Sequence, residues 1–279
     1  MKIAFVLTSV TALAALTPPS QAALVHLYTF NDGTANDSVG ASNGVIVNPA
    51  NAVFSNGVLN ISANDGGGPG NNAYVDLPNG LFSSAVNGGT AGAASFSLWF
   101  TASENRNWAP ALSFGTSNNG ENTSDAGNAA DYLQLIPSAG VAGNPLRLTT
   151  HAANNGTEGF LDTGTAAIGS LIQAVGVFDN GNFRFYVNGV QIGSTVAVAS
   201  GLNLSSFNDN NNWLGRSQWG DPVFDGSYDQ LSVYDHALTG EEVASSFASG
   251  PVPVPETSAA MLGVLGGASL LSARRRRPA

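Results

Sequence analysis

Between residues 23 and 236 the chain consists of short β-branched and aromatic runs separated by clusters of Gly, Asn, Asp and Ser. Their alternation is two-residue, not helical, and marks the runs as strands. Strands are predicted at Leu24–Phe30, Gly44–Val47, Val58–Ser62, Ala73–Leu77, Phe96–Thr101, Ala109–Phe114, Tyr132–Ile136, Leu146–Thr150, Leu171–Phe178, Phe183–Val187, Val190–Ser194, Trp213–Arg216 and Tyr228–Tyr234. The clearest hairpin turns at Asn188-Gly189, a pair that tolerates the positive φ angles of a type I′ turn. Asp179-Asn180-Gly181-Asn182 supplies a turn before it, so Leu171 to Ser194 reads as a three-strand meander. One helix is predicted, from Gly240 to about Ala248. Thr239-Gly240-Glu241-Glu242 has the spacing of a capping box, and Leu238 and Val243 occupy staple positions. Val243 and Phe247 would pack on the strands, with Gly250 closing the helix. The polar stretches Asn64–Asn72 and Asn118–Ala130 read as long mobile loops. This pattern is that of an all-β, two-sheet antiparallel sandwich with one short C-terminal helix.

The two ends follow different rules. Met1-Lys2, the apolar run Ile3 to Leu16 and the small-x-small triplet Ser20-Gln21-Ala22 form a secretory signal peptide, with cleavage after Ala22 or, alternatively, Ala23. Residues 23–250 are then the folded domain and 251–258 a proline-rich linker. Residues 259–279 hold an apolar segment, Ala259 to Ala273, ended by Arg274, Arg275, Arg276 and Arg277. That run is shorter than the ~17–25 residues that usually span a bilayer, and the arginines would stay cytoplasmic. Pro255-Glu256, the brief hydrophobic segment and the arginine cluster together resemble the PEP-CTERM sorting signal; Thr257 stands where that family usually has a second proline. The resemblance implies an exosortase as partner, transient insertion into the inner membrane, and delivery to the bacterial surface or extracellular matrix. An ordinary C-terminal anchor with a stop-transfer cluster is the alternative.

Charge and cysteine content narrow the function classes. The region 23–250 contains four arginines, no lysine and eighteen acids, a formal charge of −14. Such a surface repels nucleic acid and anionic lipid, and attracts divalent cations. There is no cysteine, which removes both disulfides and thiol catalysis.

Several segments, in order, resemble the laminin-G-like, concanavalin A-like lectin/glucanase domain. They are Leu27-Tyr28-Thr29-Phe30-Asn31-Asp32-Gly33, Phe96-Ser97-Leu98-Trp99-Phe100, Phe185-Tyr186-Val187-Asn188-Gly189 and the block Phe224-Asp225-Gly226-Ser227-Tyr228-Asp229. The resemblance implies a jelly roll whose first and last strands are neighbours, used outside cells to bind carbohydrate or protein. It also implies a structural Ca²⁺ held by Asp32, Asp37 and Asp229; the competing reading of Asp32 and Asp37 is as Asx-turn residues. Catalysis on this fold needs paired carboxylates. Glu104, Glu121, Glu158, Glu241 and Glu242 have no carboxylate partner at strand-face spacing within a predicted strand, so no catalytic residue is expected. A sugar-binding face would use exposed aromatic rings. Trp108 and Trp219, set among polar residues, are the candidates; Trp213 reads as core, Trp99 as core or concave surface, and His26 as a packed structural histidine. The expected function is non-catalytic binding of extracellular polysaccharide or another matrix component. The alternatives are a structural envelope protein without a specific ligand and a divergent glycoside hydrolase.

Overall fold

The computed structural model describes residues 23–86, 92–117, 119–123, 131–153 and 156–253. The signal-peptide and sorting-signal readings, including Pro255, Glu256 and Arg274–Arg277, lie outside the described residues, as does most of the 118–130 stretch. Among the described residues no helix is long and apolar enough to cross a membrane.

Alternation along the strands builds two antiparallel sheets. One runs β13 (Val190–Ala197), β12 (Asn182–Val187), β11 (Leu171–Asp179), β6 (Ala94–Ala102), β15 (Gly226–Tyr234), β4 (Val58–Asn60) and β3 (Val53–Ser55), and β1 (Leu24–Tyr28) also pairs with β15. The first and last strands are thus neighbours, with Leu24 opposite Tyr234 and Tyr28 opposite Leu231. The other sheet runs β10 (Thr157–Asp162), β9 (Arg147–Ala152), β8 (Asp131–Ile136), β7 (Leu112–Thr116), β14 (Asn211–Leu214), β5 (Tyr74–Leu77) and β2 (Val45–Val47). The meander closes as its turns dictate: Asn180 and Gly181, then Asn188 and Gly189, all take positive φ.

The core lies between the sheets. Phe96, Leu98 and Phe100 of β6 enter it from one side, and Phe114, Leu133, Leu135 and Leu148 from the other. Phe82 stacks on Phe114 at 5.3 Å and meets Phe178 edge-on at 5.5 Å. Each such buried ring contributes roughly 1.5–3 kcal/mol by leaving water, so this cluster joins the sheets without disulfides.

The opposite parity of β6 faces away from this core. There α1 (Gly240–Ser249) lies on the outside of its sheet, capped reciprocally by Thr239 and Glu242. Val243 and Leu238 pack with Val175, Val177 and Tyr186 in a second apolar cluster, and Phe247 stacks on Trp99 at 5.9 Å. Trp99 is therefore buried on the outer face of its sheet, where it seats the helix. Beyond Gly250 the chain is tied back, with the Val252 amide donating to Gln230 Oε1 at 2.8 Å.

Trp213 is fully buried, as expected of a core residue, with its Nε1 donating to Asp76 Oδ1 at 3.1 Å and the Arg216 guanidinium 4.0 Å above its ring. Two further readings are corrected. The Asn64–Asn72 stretch is pinned, because Asn64 bonds Ala73 and Phe224 and Asn72 bonds Asp65 and Gly68. Strands β3 and β10 were not anticipated, and β10 matters because it forms one edge of the site.

Candidate functional site

On the second sheet, alternation sends Leu133 and Leu135 of β8 inward and Tyr132, Gln134 and Ile136 outward. Register then sets outward residues side by side. Tyr132 pairs with His151, and Ile136 with Arg147; on β10, Glu158 lies opposite His151 and Asp162 opposite Arg147. On the other flank Gly115 of β7 faces Tyr132, where any Cβ would run into the Tyr132 backbone.

The aromatic residues form a connected platform. Tyr132 and His151 stack at 4.9 Å with their planes 11° apart. Trp219, from the segment between β14 and β15, stands edge-on to both at 6.2 and 5.8 Å. Burial pushes the Tyr132 hydroxyl above its ordinary range, against an opposing hydrogen bond from Trp219. Trp108, from the segment between β6 and β7, closes the other side with a φ of 64°. A bulky residue held in the left-handed region costs roughly 1–3 kcal/mol and persists only where its surroundings enforce it. Two constraints do so here: the Trp108 amide donates to the Ser138 carbonyl at 2.9 Å, and its indole covers Gly140, where a side chain would collide with the ring.

Charges line the rim and floor. Arg147 grips Asp162 through two hydrogen bonds, of 2.7 and 2.9 Å. It lies 3.8 Å from Glu158 and against the Phe160 ring at 3.9 Å, so its charge is paired and one face is covered. The Asp162 hydrogen bond, more than opposing burial, raises its pKa further. Glu158 accepts from Thr149 Oγ1 at 2.6 Å. Asp221 accepts from Ser217 Oγ at 2.8 Å, and burial raises its carboxyl above the usual range against that single bond. Gln134 spends its amide nitrogen on Ser113 and Ser217 at 3.1 and 3.3 Å. Together these groups enclose a cleft of about 360 Å³ bounded by Trp108, Tyr132, His151, Glu158, Trp219 and Asp221. That volume lies in the range of small-ligand sites.

The structure thus brings Trp108 and Trp219 to one cleft. Sequence reading missed Tyr132, Gln134, His151, Glu158 and Asp221; the Tyr132-Leu133-Gln134-Leu135 alternation is the signal that could have set Tyr132 and Gln134 on an outward face. Glu158 and Asp162 do share one face of β10, but both are engaged by Arg147.

The anticipated calcium set does not assemble. Asp37 is buried, and its Oδ1 accepts from the amides of Leu27, Val39 and Gly40 at 3.0 to 3.1 Å. Its Oδ2 pairs with His26 Nδ1 at 2.7 Å and the Ser42 amide at 3.3 Å. Burial alone would raise this carboxyl, yet the His26 and amide hydrogen bonds outweigh it and hold the pKa below the usual range. Asp32 turns back on the Thr34 amide and hydroxyl at 2.9 and 2.7 Å. Asp229 is half-buried at an irregularity in β15. Among the described residues no group of three or more His, Cys, Asp or Glu is placed to hold a metal. The Asp37 oxygens are spent on loop amides and His26, and Asp32 Oδ1 on Thr34.

Residues 69–244, more than half of the chain, match the family model described as the concanavalin A-like lectin/glucanases superfamily. This chain belongs to that superfamily. No curated protein matches it. Among solved structures, the lectin/glucanase domain is similar to domain 4 of AbnA, an extracellular arabinanase of Geobacillus stearothermophilus in complex with arabinotriose. That similarity has a TM-score of 0.59 at 20% identity, over 80% of this chain and 98% of the other. A botulinum neurotoxin type C, described as entering cells through two ganglioside molecules, aligns with a TM-score of 0.53 at 14% identity, over 81% of this chain and 51% of that one. The ligand-binding domain of serotype D, in complex with N-acetylneuraminic acid, gives 0.53 at 13%, over 81% and 50%. This chain thus spans about half the length of the two neurotoxin chains. At these identities the likeness is one of fold.

Proposed function

We propose that the cleft binds sugar rings of an extracellular polysaccharide without cleaving them, and that the chain is an exported bacterial surface or matrix protein. The observation that carries this reading is the arrangement of Trp108 and Trp219 around the Tyr132–His151 stack. Flat apolar faces suit pyranose rings, and Gln134, Glu158 and Asp221 offer acceptors to hydroxyls at the edge of the same platform. The ligand-bound complexes of the similar folds support this reading by analogy. Export and exosortase sorting rest on the terminal sequences alone, with Pro255, Glu256 and Arg274–Arg277 as the recognition elements.

Calorimetric titration of the 23–253 domain with a panel of neutral oligosaccharides tests the binding role. Saturable binding that weakens about tenfold or more in Trp108→Ala and Trp219→Ala is expected, as for central aromatic contacts elsewhere. Absence of saturable binding would leave the structural envelope protein as the better account. For sorting, neutralising Arg274–Arg277 should impair retention and processing, whereas a mature extracellular species with its tail intact would contradict the assignment.

One observation favours a second reading, glycoside hydrolysis: Glu158 and Asp221 line the same cleft, and burial raises Asp221. Release of reducing ends from a bound oligosaccharide, lost in both Glu158→Gln and Asp221→Asn, would establish it.

A further inference from the structure

We infer that the cleft recognises a sugar ring bearing a free amine, prefers it to the same ring acetylated, and rejects a carboxylated ring; this inference rests on the carbohydrate-binding reading above. The argument rests on the acceptors that face the cleft. Gln134 is almost wholly buried, and its side-chain hydrogen bonds run from Nε2, to Ser113 and Ser217. Its Oε1 accepts no hydrogen bond among the described residues, and the residue lines the cleft. Asp221 Oδ2 accepts from Ser217 and Oδ1 has no partner. Glu158 uses Oε1 on Thr149 and on the more distant Arg147, leaving Oε2 free. The cleft thus offers three unengaged acceptors, two of them on carboxylates.

The nearby cation does not reverse this balance. Arg147 is bound twice by Asp162 and covered by Phe160. Counting it with its neighbours gives one guanidinium against Asp162, Glu158 and Asp221. An incoming carboxylate would meet the like charge of Glu158 and Asp221 beside a guanidinium already paired with Asp162. An ammonium would bring three donors and a positive charge to acceptors that lack both. The aromatic walls favour the same ligand, because ring faces attract cations. An N-acetyl group keeps a single amide donor and loses the charge, which places it between the two.

The test uses β-1,4-linked tetramers of glucosamine, N-acetylglucosamine and glucuronic acid, titrated into the 23–253 domain at physiological salt and below neutral pH, where the amine is protonated. Salt at that level suppresses attraction to the acidic surface at large. Glucosamine tetramer should bind about tenfold more tightly than its acetylated counterpart, the gain typical of a charge-assisted hydrogen bond, and the glucuronate tetramer should not bind measurably. Asp221→Asn, which keeps shape and the Ser217 contact, should abolish most of that difference. Glu158→Gln should reduce it, and Glu241→Gln, on the distant helix α1, should leave it intact. Equal or weaker binding of the amine form, or a difference that survives Asp221→Asn, would overturn the inference. If the acetylated or acidic tetramer binds in a Trp219-dependent way without an amine advantage, the carbohydrate reading stands and this refinement falls. If none of the tetramers and none of the neutral panel binds, both fall.

Discussion

The two sheets share one inner chemistry and differ on their outer faces. Outside β6, β11 and β15, Ser95 bonds the chain leading into α1, Gln173 bonds Ser246, and Trp99 is covered by Phe247. Outside β8 and β9 no helix is laid down among the described residues: Trp219 stands edge-on to Tyr132 and His151, and Trp108 stands at the rim. One tryptophan is thus satisfied by the protein itself, whereas two others surround a space of ligand size. The lesson is that an outward aromatic ring becomes a candidate contact only when no later segment returns to cover it.

This contrast is tested most strongly by removing the covered ring. Trp99→Ala should cost about 3–5 kcal/mol, as for other buried aromatic deletions, and lower the melting temperature by roughly ten degrees in a domain of this size. Sugar binding at temperatures where the variant is folded should be unchanged. A loss of binding as large as the loss of stability would show that the two faces are not independent.

Asp37 tests the loop after β1, on the edge of the helix-covered sheet. Asp37→Ala should destabilise by about 1.5–3 kcal/mol, the range for hydrogen bonds to a charged group. The pH dependence has a definite sign. A carboxyl whose folded pKa is depressed contributes stability above its unfolded pKa, and that contribution is lost as pH falls through the folded value. The melting-temperature gap between wild type and Asp37→Ala should therefore be full at neutral pH and shrink on acidification. A gap constant with pH would assign the residue a purely steric role.

Thr239→Ala removes one half of the capping box and should cost about 1 kcal/mol, read as faster amide exchange in α1. Unchanged protection along the helix would mean that the packing of Val243 and Phe247, not the cap, sets its stability. The smallest change in stability is expected at the cleft. Trp219→Ala should shift the melting temperature by only a degree or two, since the ring is half-exposed, while its effect on ligand affinity should be the largest of these variants.

Sequence pattern carried the sandwich well because apolar alternation and turn residues are local. The Asn188-Gly189 hairpin, the Thr239–Glu242 cap and the pairing of β1 with β15 all follow from short segments or from family resemblance. The site was legible only in part. Trp108 and Trp219 stood out because they sit among polar residues, but the strand at the edge of their cleft did not. In β10 the outward positions are Glu158, Phe160 and Asp162, and Phe160 is exposed against a cation instead of entering the core. Its apolar alternation is broken, and the strand was missed. Which face of the sandwich α1 would occupy is a tertiary fact, and Trp99 could not be placed without it. The environments of the aspartates were hidden for a related reason. Proximity in sequence put Asp32 and Asp37 in one loop, but Asp37 gives its oxygens to the loop's own amides and to His26.

The central claim is that the uncovered aromatic cleft is the sugar-binding surface. Its most direct test is a two-dimensional NMR titration of the indole N–H signals of the 23–253 domain with an oligosaccharide it binds. The account predicts that the Trp108 and Trp219 signals shift along one saturable isotherm while those of Trp99 and Trp213 stay in place. Shifts confined to Trp99, or saturable binding that moves neither Trp108 nor Trp219, would contradict it.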